Sequence, residues 1–398
     1  MPRVNRRALL KGAGAVAIVA VGGLAWRAQD QGVFSAGAGP AYEPWTTWRS
    51  DTAEGPLRLV RAAILAANPH NTQPWLFRVS PARVELYADT VRNLGTFDPY
   101  LREMHIGLGC AVENMRRAAG ASGYQAAVTL AAGPLAAPGP APRRDLVAAL
   151  DLRAAPARPD PLFDAVPRRR TNRAAYDAGR PVPADALDAI RATVRDEPDL
   201  KLFLFSEPAE RRKLGEAVIA ATATIIADPR MVADSERWFR QRWADVQRLR
   251  DGVTLDTAGL APLTLTAAKM LPPPSPQTNH RYWLEATRDV HVPTSPLLGL
   301  IAVRDLYDRP QALRAGLAWQ RMHLLATTRG LAAQPINQPV ELVDRERELG
   351  QPARAAGVLA DLTGDPAWKP TFAFRMGFPT RPAAPSPRRS VDDVLLKG

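Results

Sequence analysis

Two short polar strings, one in each half of a 398-residue chain, constrain the fold more than any other feature. Asn68-Pro69-His70-Asn71-Thr72-Gln73-Pro74-Trp75 lies between a helical pattern and a strand pattern. Arg168-Arg169-Arg170-Thr171-Asn172-Arg173 stands just ahead of another helix. Four guanidinium groups around two small polar side chains form a fork-rich anion site, because guanidinium pairs bidentately with phosphate. A proline-flanked amide string such as Asn71 and Gln73 presents donors and acceptors at fixed geometry, as a heteroaromatic ring edge requires. The strings therefore predict a phosphate at one end and a polar ring at the other. The plainer reading of the arginines is an exposed basic loop capping the next helix.

Asn71-Thr72-Gln73-Pro74-Trp75 resembles the Asn-x-Gln-Pro-Trp string of the FMN-dependent nitroreductase family, and Arg169-Arg170-Thr171-Asn172-Arg173 resembles its Arg-Arg-Ser-x-Arg phosphate motif. In an ordinary member the arginine motif comes first, and the flavin lies at a homodimer interface. Here the order is reversed and the separation long, which resembles the Tat-exported, Acg-like single-chain branch. The resemblance runs from about Leu57 onward. It implies an α+β, nitroreductase-like fold: an internally duplicated single-chain pseudo-dimer with a helical lid insertion. It implies FMN as cofactor, with Arg169, Arg170, Thr171 and Arg173 at its phosphate and Asn71 and Gln73 at its pyrimidine edge. Arg388 and Arg389 resemble the basic residues that return to the phosphate. Gln334-Pro335-Ile336-Asn337-Gln338 stands where the family sends a loop across the flavin, which would bring Asn337 or Gln338 to N5. His70, next to Asn71, is a candidate acid or a plain loop histidine.

The strings divide unevenly. The first half has no arginine motif at its opening helix, and the second reads Lys201-Leu202-Phe203-Leu204-Phe205-Ser206 where the amide string would recur. One FMN per chain, between the halves, is the expectation.

A net charge of +12 invites a nucleic-acid reading. Residues 1–38 hold Arg3, Arg6, Arg7, Lys11 and Arg27 against Asp30, and the remaining excess is spread without an aromatic-interleaved stripe. A solvated arginine surface is expected instead, with no nucleic-acid partner. The single cysteine, Cys110, excludes intrachain disulfides and cysteine-built clusters, and five histidines without ligand spacing predict no metal.

Asn5-Arg6-Arg7-Ala8-Leu9-Leu10-Lys11 resembles the twin-arginine export motif, followed by a mild apolar segment from Gly12 to Trp26. That segment is too short and too weakly apolar to predict a stable membrane span. Ala36-Gly37-Ala38 is the expected cleavage site, with an uncleaved anchor as the alternative. The chain is thus expected to engage the Tat machinery and to work in the periplasm or anchored on the outer membrane face. Twin-arginine export handles folded, cofactor-loaded proteins, which agrees with the flavin expectation. Outside the cytoplasm NAD(P)H is scarce, so a quinol, a redox partner or the substrate would deliver electrons.

Periodicity predicts a helix over Leu57–Ala67, a hairpin of Trp75–Val79 and Arg83–Tyr87, a helix near Asp98–Ala119 and a strand near Gln125–Leu130. Residues 131–161 read as the junction around one strand-like run, Leu146–Leu152. The resulting division is a signal peptide over 1–38, a first half over 39–160 and a second over 161–398. Residues 228–296 form an insertion, read as a lid or as an extra helical layer. Two functions follow: an exported FMN oxidoreductase moving hydride or electrons through N5 to a small organic substrate, or a flavin-holding protein without turnover.

Overall fold

The computed structural model describes residues 24–48, 55–139 and 141–397; the Asn5–Lys11 string lies outside them. Apolar spacing builds helix α1 (Leu57–Ala63), which buries Leu59 and Val60. Alternation then builds a hairpin, β1 (Trp75–Ser80) and β2 (Arg83–Asp89), burying Val84, Leu86 and Ala88 on one face. The long helix α2 (Arg102–Ala121) follows, then β3 (Tyr124–Leu130) and β4 (Arg144–Ala154). The sheet order is β1-β2-β4-β3, antiparallel throughout. Strand β4 takes in much of the expected junction. Its residues Val147–Leu150 are all buried, because this inner strand is covered on both faces.

The second half runs α3 (Ala184–Ala192), β5 (Leu200–Phe205), α4 (Pro208–Ile226), the two-residue strands β6 (Phe239–Arg240) and β7 (Val253–Thr254), and α5 (Pro262–Met270). It continues with β8 (Leu297–Val303), α6 (Arg309–Thr328), β9 (Ala332–Pro335), α7 (Gln338–Glu348) and β10 (Lys369–Gly377). Its sheet order is β5-β8-β10-β9, again antiparallel.

Strand for strand, the two sheets have one topology. Helices α2 and α6 are both 20 residues long, and one constant offset matches Arg102 to Arg309, Gly109 to Gly316 and Met115 to Met322. The expected internal duplication is present in the fold. The second copy differs by what it adds, between β5 and β8 and between β9 and β10.

Helices α2 and α6 cross at the centre of a core that runs through both halves. Trp319 lies 4.7 and 5.3 Å from the Phe372 and Phe374 rings, and each such buried large side chain contributes about 1.5–3 kcal/mol. The tail of the second half then crosses to the first. Phe77 donates to Val394 O and accepts from Leu396 N, both at 2.8 Å, extending the first sheet along β1. That crossing carries Arg388 and Arg389 to the amide string. No helix among the described residues is long and apolar enough to cross a membrane.

Candidate functional site: a buried arginine cluster

The amide string starts beyond α1 with an unusual backbone. His70, Asn71 and Gln73 all have positive φ, at 46°, 55° and 53°. Non-glycine residues adopt this region at a cost of roughly 1–2 kcal/mol each, so surrounding contacts must hold them there. The Gln73 backbone N–H donates to Asn68 Oδ1 at 2.8 Å. Its side chain donates to Arg250 O and accepts from Arg389 N, both at 2.8 Å. Asn71 Nδ2 donates to Gly252 O at 3.1 Å and Pro387 O at 2.9 Å, while its Oδ1 accepts from Arg388. Both amides therefore tie the insertion loop and the C-terminal tail to the first half. Gly107 of α2 makes room beneath, since an added Cβ would fall 2.8 Å from Pro69.

The arginine string reaches the same place from the other half. Thr171 bridges Ala333, which hangs the string on the edge of β9. A cavity of about 40 Å³ is walled by Asn71, Arg169, Thr171, Arg173 and Arg388, with Gly252, Val253, Thr257 and Ser386 closing it. The two strings, far apart in sequence, meet here. The division into an arginine end and an amide end does not hold, because Asn71 stands among the arginines with its Oδ1 on Arg388.

The electrostatics of the cluster are one-sided. Arg169 and Arg388 are each 2% exposed, yet neither meets a carboxylate. Arg169 donates to Leu65 O at 3.1 Å, and its Nε and Nη1 have no partner. Besides Asn71, Arg388 donates to Ser386 Oγ, Ala66 O and Pro387 O, leaving Nε unpartnered. Arg173 donates to Thr257 O at 3.0 Å, and Arg170 lies 3.9 Å over the Trp45 ring. Burial pulls the Arg169 and Arg173 guanidiniums down to about 10, and burial with neighbouring Arg169 pulls Arg170 to about 9. Arg388 falls well below its ordinary value for the same two reasons. Elsewhere buried Arg102 is paired with Asp344 at 2.7 Å and Arg345 with Asp228 at 2.8 Å, while buried Arg375 is held by the Gln334 side chain and backbone carbonyls.

An uncompensated buried charge costs several kcal/mol, and clustering like charges adds repulsion. Orphaned donors converging on a polar cavity are the donor set for an anion with several acceptor oxygens. The cavity holds roughly three water volumes of about 10–15 Å³, which suits a phosphate-sized group. Anything larger attached to that group requires the loop 250–257 or the segment 39–48 to shift.

Other predicted residues lie outside the cavity. Arg389 faces an open groove of about 820 Å³ with Arg143, Arg144 and Lys397. His70 Nε2 meets Ser235 Oγ at 3.0 Å, and its ring stands edge-on to Phe97. Burial, then Arg173, holds its pKa down to about 4, so the imidazole is neutral and is no proton donor at neutral pH. Gln334 accepts from Arg375 at 2.7 Å, and Pro335 pairs with Phe374 within the sheet. Asn337 donates to Glu103 at 2.8 Å and accepts from Ala373 N, which turns its side chain into a buried acidic group rather than toward the arginines. Gln338 is buried beside it at the start of α7.

Four contributors escaped the sequence: the carbonyls of Gly252 and Thr257, the hydroxyl of Ser386, and Trp45. Trp45 packs under Arg170 and Arg388 and donates to Ser386 O at 2.7 Å. A lone tryptophan beside Pro44 and backbone carbonyls in a loop carry no motif.

No family profile matches the chain. Two curated proteins of Mycobacterium tuberculosis, named "Putative NAD(P)H nitroreductase" Rv3131 and MT3217, are 28% identical over 352 residues, covering 86% of this chain and 91% of theirs. Among solved structures, the FMN-dependent nitroreductase NfnB of Mycobacterium smegmatis in complex with NADPH is 18% identical, with a TM-score of 0.38, covering 60% of this chain and 98% of that one. A nitroreductase with bound FMN from Bacteroides fragilis is 15% identical, with a TM-score of 0.32, covering 56% and 90%.

Proposed function

We propose that this chain, a homologue of the two mycobacterial proteins named as NAD(P)H nitroreductases, is an FMN-dependent oxidoreductase of the nitroreductase type. The observation that carries the proposal is the arginine cluster: Arg169 and Arg388 are buried and Arg173 is half-buried, and the three converge on one cavity and lack any carboxylate partner. A phosphomonoester supplies the missing charge and the acceptors for Arg169 Nε and Nη1 and Arg388 Nε. Thr171 and Ser386 offer hydroxyls to the same group, and Asn71 holds Arg388 in place.

When bound, the flavin supplies two-electron chemistry at its ring, accepting hydride and passing electrons to a small organic acceptor. The chain's own part is placement and field. The arginines would hold the phosphate and make the electrostatic potential around the cavity positive. Gly252, Val253 and Thr257 of the insertion line the cavity, and Trp45 packs against Arg170 and Arg388 beside it. His70 stays neutral beside them and adds no positive charge at working pH.

The twin-arginine string Arg6-Arg7 supports export of the folded chain to the periplasm or the outer membrane face. In that compartment the electron donor is a quinol or a redox partner rather than a nicotinamide. The test is the absorbance spectrum of the purified protein, followed by reduction with NADH, NADPH and a quinol. A flavin spectrum bleached by one donor is expected. A colourless protein that takes up no added FMN would overturn the proposal.

A further inference from the structure

Residues 250–252 of the insertion lie antiparallel to the amide string and are bonded to it at both ends. Gly252 N donates to Asn71 O at 3.1 Å, and Gly252 O accepts from Asn71 Nδ2 at 3.1 Å. Two residues away, Arg250 O accepts from Gln73 Nε2 at 2.8 Å. Arg92 joins the middle residues of the two stretches: its Nε donates to Thr72 O and its Nη2 pairs with Asp251. From the other side Arg240 meets the same carboxylate at 2.7 Å. Asp251 is thus buried between two guanidiniums, with the Trp238 ring 5.3 and 5.6 Å from them. Of the five non-glycine residues with positive φ among the described residues, four stand at this contact: His70, Asn71, Gln73 and Arg250. Such conformations persist only where neighbours impose them.

We propose that residues 250–252 are a strap that occupies the amide string in the resting protein, latched by Asp251, and that it lifts before Asn71 and Gln73 take a flavin ring edge. The inference rests on the flavin reading above. A peptide edge alternates carbonyl and N–H groups, as the pyrimidine edge of a flavin does, so the strap satisfies the same side-chain amides. The cavity behind it, about 40 Å³, is far smaller than the roughly 300–1,000 Å³ of sites that enclose a whole organic ligand. A phosphate-sized group fits with the strap in place, and a flavin does not. The strained backbone favours release, and the Arg92–Asp251–Arg240 triad opposes it, because separating a buried ion pair leaves its charges uncompensated.

The experiment measures binding of FMN and of inorganic phosphate to the full chain, comparing the parent with Asp251→Asn and Arg240→Gln. The second variant removes one arm of the latch and keeps the Arg92–Asp251 pair, so it decides the matter if the first folds poorly. FMN association and release, followed by flavin fluorescence, should each quicken about tenfold in Asp251→Asn, the effect of one lost charge-assisted pair, and by less in Arg240→Gln. Phosphate affinity should change far less, since phosphate fits beneath the strap. The Gly252 N–H should exchange with deuterium faster in both variants than in the parent. FMN rates equal to the parent's in both variants, with phosphate still bound, would overturn the strap and leave the flavin reading standing. Failure of all three proteins to take up FMN would overturn the flavin reading, and this proposal with it.

Discussion

Gly109 of α2 and Gly316 of α6 meet reciprocally at the helix crossing. A Cβ on Gly109 would fall 2.0 Å from Leu313 O, and one on Gly316 would fall 2.0 Å from Ile106 O. Each clash involves backbone three residues before the opposite glycine, as a two-fold relation between the halves requires. The absence of side chains lets the helices touch, and everything between the two sheets is built around that contact.

Gly316→Ala should therefore separate the helices. Overpacking of a close-packed core costs about 1–3 kcal/mol. The urea midpoint should fall for Gly316→Ala and for Gly109→Ala, and the double variant should lose less than the sum, since both act on one contact. A strictly additive pair would show that the crossing is not shared.

Arg169→Gln should have opposite effects on the free protein and on its ligand. Removing a buried guanidinium that meets no carboxylate relieves repulsion with Arg170 and Arg388, so the ligand-free protein should melt no lower than the parent. Phosphate or FMN should raise the melting temperature of the parent and do so far less for the variant. Loss of a charge-assisted pair corresponds to about 1.5–3 kcal/mol, or roughly tenfold to a hundredfold in affinity. Equal thermal shifts in both proteins would leave Arg169 a structural residue.

His70 makes acid sensitivity predictable. Its folded pKa, about 4, lies below the ordinary 6.5, so folding favours the neutral ring. The associated stability is present above pH 6.5 and is lost as pH falls through that window toward 4. The effect is at most ~3 kcal/mol at 1.36 kcal/mol per unit. His70→Phe should flatten the stability profile between pH 6.5 and 4; an unchanged slope would assign the acid limb elsewhere.

Glu103 acts with the other sign. Burial, then the nearby Asp98 charge, raises its carboxyl from 4.5 to about 8, so the folded state favours the protonated form. Its contribution is present below pH 4.5 and disappears as pH rises through 8. Glu103→Gln keeps an acceptor for Asn337 and should make stability less dependent on pH across that range. Denaturation midpoints at pH 5 and pH 8 that differ as much in the variant as in the parent would contradict this.

The sequence revealed the paired halves through the two motif strings, one in each half and in reversed order. The runs Arg102–Ala121 and Arg309–Thr328 match in length, though the second is less amphipathic. It also revealed the amide and arginine strings, because guanidinium and amide side chains announce their chemistry. Their arrangement was not legible. Asn71 joins the arginines only because the tail crosses to β1 and delivers Arg388, a topological fact with no local signature. Asn337 was drawn away by Glu103, whose burial depends on packing contributed by both halves. The cavity walls at Gly252 and Thr257 are backbone oxygens, which no side-chain type announces.

Arg388 N donates to Ala41 O at 2.7 Å, and Trp45 stacks beneath the same arginine. The cavity is thus fastened by residues from nearly opposite ends of the sequence. On a chain still being synthesised, no such site exists. The walls from the amide string, the arginine string and the insertion lack their closing side until Ser386 and Arg388 arrive. Loading of an anionic ligand is consequently a post-translational event, and a truncation of even a dozen terminal residues would disarm the site by removing Arg388, although the amide string and the Arg169–Arg173 string would remain intact far upstream.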